Sequence, residues 1–164
     1  AQWLGEPGPP PLARDPSGRP RLLAPHQDHD TGWSHSGEQL LLALGRGVTL
    51  GVDLERLRPR PRALELADRF FAPGEAGRLQ ALAPERRELA FLRLWCAKEA
   101  VLKAHGQGLS FGLHRLEFIP DGDDEHAPLR LLASDPELGA ASDWQLHEWI
   151  PAPGYLAALA WHPR

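Results

Sequence analysis

Residues 91–109, FLRLWCAKEAVLKAHGQGL, decide how the rest of the chain is arranged. At 3.6 residues per turn, Phe91, Leu94, Trp95, Val101 and Leu102 fall on one apolar stripe, the face that a helix buries. Three charges break this division. Lys98 projects from the middle of the stripe, and Glu99 and Lys103, four residues apart, run along its edge beside Trp95. An unpaired charge is costly to hold in a dry interior, so these positions predict a polar ligand or a cleft. Pro84 suits the first helical position and Gly106 a left-handed cap, which sets the helix at Pro84 to His105, with Gly108 as a second permissive position.

Working outward, residues 115–119, 129–132, 144–150 and 155–161 are predicted strands. The turn-rich pieces PDGDD and PAPG separate them, and no intervening helix is long enough for a parallel crossover. Upstream, a short helix is expected over 62–71, broken at Pro73 and Gly74, and another turn or two from Glu75 to Leu82. LLLAL (40–44) and VTLGVDLE (48–55) form two strands around a tight turn containing Gly45 and Gly47. In the second strand Val48, Leu50, Val52 and Leu54 share one face, which places Asp53 and Glu55 side by side on the other. The expected class is α+β, with antiparallel strands packed on one dominant helix. The opening twenty residues carry Pro7, Pro9, Pro10, Pro11, Pro16 and Pro20, which predicts an extended surface run without regular structure.

With 164 residues the chain suffices for one domain with a real core, or for two small halves sharing an interface. A net charge of −4 offers no basic footprint for nucleic acid, although a few local cations suffice for a nucleotide-like small molecule. The single cysteine, Cys96, sits in the predicted helix and has no internal disulfide partner, so a reducing compartment is expected. No apolar run reaches membrane-span length and no charged-then-apolar leader opens the chain, so the expectation is a cytoplasmic protein with no membrane partner. The absence of Met, including at position 1, points to a processed, trimmed or fragmentary start.

Asp53 and Glu55 from the strand and Glu99 from the helix are three oxygen ligands of the kind that hold Mg²⁺, an ion that keeps open positions for waters and phosphate oxygens. Lys98, Lys103, Arg19 and His35 are the candidates for neutralising the remaining phosphate charge. Ser34 and His35 are adjacent on an extended segment, so their side chains diverge and make a poor nucleophilic dyad. The arginines of RLRPRPR (56–62) belong to a solvated loop, and the other histidines show no metal-ligand spacing.

Taken in order, GRP (18–20), WSHSG (33–37), GVDLE (51–55), RFFAPGE (69–75) and the helix motif W-x-x-K-E-A-x-x-K-x-x-G-x-G-L resemble the 4'-phosphopantetheinyl transferases, specifically the larger, Sfp-type branch. The likeness covers about Arg19 to Leu109 and continues weakly in Tyr155 to Ala160. It implies a fold of two pseudo-twofold α+β halves with the first incomplete here: a remnant in 1–47 with the Pro-rich start, and a carboxy-terminal half in 48–164. It also implies that Asp53, Glu55 and Glu99 hold Mg²⁺ against the pyrophosphate of coenzyme A, that Lys103 contacts the phosphates, and that Arg19, Ser34 and His35 contact the nucleotide end. Lys98 would either join the cofactor contacts or lie along the apolar face with its ammonium reaching water.

The implied reaction moves phosphopantetheine onto a serine of an apo acyl carrier or peptidyl carrier protein and releases adenosine 3',5'-bisphosphate. The serine proton would go to Glu99, or to a water positioned by Glu99 or Glu75. Two departures stand out. Gly32 replaces the family's usual asparagine, and only eighteen residues precede Arg19, which leaves an apolar face for a partner and makes a homo-oligomer an expectation. The competing reading is a non-catalytic coenzyme A or nucleotide-binding module derived from the same family.

Overall fold

The computed structural model describes residues 2–122, 124 and 126–164; Asp123, inside the predicted PDGDD turn, lies outside them. Strands β1 (Leu12–Arg14) and β2 (Pro20–Leu22) pair with each other, and β3 (His29–Ser36) and β4 (Gln39–Arg46) form a hairpin. Strand β5 (Val48–Arg56) leads into helices α1 (Ala63–Phe70), α2 (Pro73–Ala81) and α3 (Pro84–His105). The chain ends with β6 (Leu116–Pro120), β7 (Leu129–Ser134), β8 (Gln145–Trp149) and β9 (Tyr155–Pro163). Every strand pair is antiparallel, β9 lying between β5 and β8 and β6 pairing with β7, so the class is α+β as expected.

Helix α3 packs across β5 and β9, starting on Pro84 and ending at Gly106, whose φ of 96° is a left-handed cap. Its amide donates to the Leu102 carbonyl at 2.8 Å. The helix is more deeply enclosed than one stripe predicts. Leu92, Cys96, Ala97, Ala100 and Ala104 are buried together with Phe91, Leu94, Val101 and Leu102, because β5, β9, α1 and α2 surround it.

Gly51 sets how closely β5 and α3 approach. A Cβ there would stand 2.1 Å from the Ala100 carbonyl oxygen and 2.3 Å from the Ala104 amide nitrogen, so any side chain would push the helix off the strand. Side chains alternate along a strand, so Asp53 and Glu55 share the Gly51 side and are aimed at α3.

Two sequence expectations change. The strands ending and starting around Gly47 do not form a hairpin: β4 pairs with β3 and β5 with β9. The other edge of β5 is served by side chains of β3. Asp30 accepts from the Leu50 amide, Ser34 from Leu54 and Ser36 from Arg56, at 2.9–3.1 Å. These polar residues recur every second position, and Gly32 is the break in the row. The Pro-rich start also holds regular structure, since Asp15 turns the chain by accepting from the Ser17 and Arg19 amides and sets β1 against β2. The extended segment that carries Ser34 and His35 is the eight-residue strand β3, whose hairpin leaves Leu40 and Leu42 exposed on its outer face.

Candidate active site

The site forms where the Asp53 side of β5 meets the last turns of α3. Lys103 Nζ stands 2.6 Å from Asp53 Oδ1 and 2.9 Å from the Ser34 hydroxyl, and that hydroxyl donates to Asp53 at 3.0 Å. Ser34 is buried on β3, whereas His35, one position along, points outward and is exposed, as alternation requires. Asp53 Oδ2 and Glu99 Oε1 are both buried without a hydrogen-bond partner among the described residues. Buried, unsatisfied carboxylate oxygens are costly and call for a partner, a water or an ion, at this place.

Electrostatics tie the three carboxylates together. Burial, and next the Asp53 charge, raise Glu99 to about 7, with Glu55 adding and Lys103 opposing. Glu55 is raised by burial and then by Asp53, against the pull of Arg60, Arg58 and Lys103. Buried Cys96 lies on the same side, its thiol pushed up first by burial and then by Asp53. Among the described residues no three His, Cys, Asp or Glu side chains stand as a ready-made metal cluster. The donor set nevertheless fits a hard divalent cation, because two of its members expose unsatisfied buried oxygens to one another's field.

The raised Glu99 predicts a pH effect on the cation-free chain. The folded state holds the proton more tightly than the unfolded state, whose value is the ordinary 4.5. The stability Glu99 contributes is therefore complete below about 4.5 and is lost as pH rises through about 7. Between these limits the thermal midpoint of the parent should fall more steeply than that of Glu99→Gln. Equal slopes would remove Glu99 from this role.

A cleft of about 240 Å³ adjoins the site, lined by Arg14, Arg19, Gly32, Trp33, Gly51 and Lys103 among others. Arg19 reaches it already engaged, donating to Asp30 at 2.8 Å and to the Leu50 carbonyl at 2.9 Å, with its stem against the Gly106 cap. Arg14 lies 5.7 Å from the Trp33 ring and donates to the Gly18 carbonyl. The sequence pattern did not single out Arg14, which stands in the Pro-rich stretch. It also missed Arg60, whose guanidinium holds Glu55 at 2.8 Å instead of lying free in a solvated loop.

Glu75 and Lys98 are the clear corrections. Neither side chain has any exposed surface, and they pair at 2.7 Å. Lys98 gives its other donors to the carbonyls of Leu113 and Leu116, while Glu75 accepts from the Ala72 and Phe118 amides. Burial pushes the Glu75 carboxyl up and the Lys98 ammonium down, and the other charges acting on Lys98 are Glu117 and Arg78 instead of the Asp53 group. The pair bolts α2 and β6 to α3. It offers no surface to a cofactor or to a proton in transit.

Residues 49–160 match the family model described as the 4'-phosphopantetheinyl transferase superfamily. The chain is 40% identical over 134 residues to a provisionally named 4'-phosphopantetheinyl transferase of Synechocystis sp., a match covering 80% of this chain and 51% of that protein. It is 36% identical over 137 residues to the 4'-phosphopantetheinyl transferase HetI of Nostoc sp., covering 80% and 53%. The solved ACPS-CoA complex of Chronobacterium ammoniagenes is similar at a TM-score of 0.48 and 21% identity, over 71% of this chain and 98% of that one. The chain spans about half the length of the curated relatives named here.

Proposed function

The chain belongs to the 4'-phosphopantetheinyl transferase superfamily, and on that footing we propose that it carries the Mg²⁺-dependent site that moves phosphopantetheine from coenzyme A to a serine of an acyl or peptidyl carrier protein. The observation that carries this reading is the convergence of Asp53, Glu99 and Lys103, with two unsatisfied carboxylate oxygens, at the end of the cleft that Arg14 and Arg19 line. Residues 48–164 then form the carboxy-terminal half of the enzyme, and 1–47 the remnant of its amino-terminal half, which supplies Ser34 and Arg19.

In this reading Asp53, Glu55 and Glu99 would hold the Mg²⁺, which would withdraw charge from the pyrophosphate when bound. Lys103, one-third exposed at the mouth of the site, exchanges its bond to Asp53 for a phosphate oxygen. Arg19 and Ser34 shape the nucleotide end. Glu99, directly or through a water that it positions, receives the proton of the carrier serine. The serine oxygen bonds to the β-phosphorus, the phosphoanhydride bond breaks, and adenosine 3',5'-bisphosphate leaves with its electron pair.

Incubating the chain with Mg²⁺, coenzyme A and a panel of apo carrier proteins should add the mass of one phosphopantetheine arm to at least one carrier. Coenzyme A binding without any mass gain would instead favour a binding module derived from this family.

A further inference from the structure

Beyond the carboxylates themselves, the loop that follows β5 contributes to the site. Arg60 sits between Pro59 and Pro61, which hold the segment extended and remove two backbone donors. Its Nη2 donates to Glu55 Oε2 at 2.8 Å, and both side chains are largely covered, at 24% and 19% exposure. The same guanidinium is poorly satisfied, because its Nε is buried without a hydrogen-bond partner among the described residues. A planar fork suited to two parallel bonds with a carboxylate is therefore joined to Glu55 at one nitrogen only. Asp53 Oδ2 and Glu99 Oε1 nearby have no hydrogen-bond partner among the described residues. The protein's own cations, Arg60 on Glu55 and Lys103 on Asp53, occupy two carboxylates, while Asp53 Oδ2 and Glu99 Oε1 stay open among the described residues.

We propose that Arg60 is an internal competitor for the cation: it holds Glu55 while the site is empty and is displaced from it when a divalent cation binds. The inference rests on the reading of Asp53, Glu55 and Glu99 as the cation site. Cation entry replaces one charge-assisted hydrogen bond at Glu55 and frees a guanidinium whose Nε is already unsatisfied among the described residues. Arg58 is the natural control, since it is exposed and acts on Glu55 only through space.

The test titrates Mn²⁺ into the full chain, following free Mn²⁺ by electron paramagnetic resonance, and repeats the titration with Mg²⁺ by calorimetry. Arg60→Gln should bind either ion about tenfold more tightly than the parent, in line with losing one hydrogen bond to a charged group. Arg58→Gln, which removes the same charge from the same loop, should gain much less. In a Glu55→Gln background the benefit of Arg60→Gln should disappear. Unchanged or weaker binding by Arg60→Gln would overturn the proposal and make Arg60 a fixed clamp, and an equal gain in Arg58→Gln would reduce it to general electrostatics. Cation binding without phosphopantetheine transfer would sink the transferase reading and leave the Arg60 exchange standing. No cation binding by any variant would sink both.

Discussion

Asp53→Asn should lower phosphopantetheine transfer by roughly 10²–10³-fold, the scale of losing one preorganised charge-stabilising group, with little change in the unfolding midpoint. The substitution keeps the volume and leaves an oxygen for the 2.6 Å contact with Lys103 and the 3.0 Å contact with Ser34. What it removes is the negative charge whose second oxygen is buried and unsatisfied. Asp53 also acts on both other carboxylates, so its neutralisation should let Glu99 fall back toward its ordinary range and weaken cation binding at the same time. The measurement is initial transfer rate against Mg²⁺ concentration. A variant that transfers within a fewfold of the parent at low Mg²⁺ would place the cation elsewhere.

Lys98→Met should destabilise the fold by about 3–5 kcal/mol, the usual cost of breaking a buried pair from one side. Methionine approximates the length of the lysine stem, so the loss comes mainly from Glu75, left fully enclosed with its partner gone, and from the orphaned carbonyls of Leu113 and Leu116. Denaturant unfolding of the parent, Lys98→Met, Glu75→Gln and the double variant separates the terms. The double variant should recover part of the loss, because no lone charge then remains inside. If Lys98→Met instead kept full stability and lost coenzyme A binding, the lysine would be a ligand contact after all, and the structural assignment of the pair would fail.

These two residues show why a motif can be legible while its roles are not. Lys98 and Glu99 are neighbours in one motif, and 100° of helical rotation sends the first into a sealed junction with α2 and β6 and the second toward β5. From the chain alone both were unusual charges near an apolar stripe. Which of them met a partner inside the protein depended on Glu75, more than twenty residues upstream, being turned inward in the first turn of α2, where it accepts from the Ala72 amide. Arg60 followed the same logic in reverse: an arginine between prolines has the composition of a solvated loop, and its pairing with Glu55 exists only because that loop folds back on β5.

The sequence by itself determined the helix from Pro84 to the Gly106 cap, the α+β class, the strands that flank the helix, the alternation that sets Asp53 and Glu55 on one side of β5, and the family. Those features are local or periodic, and backbone geometry enforces them wherever the segment sits. Only the tertiary structure decided that β5 uses β9 and the side chains of β3 in place of a hairpin with β4, that Ser34 turns inward and His35 outward, and that Lys98 and Glu75 neutralise each other. These outcomes turn on which distant segment fills each edge and each buried donor, and satisfying buried polar groups is a condition on the whole chain.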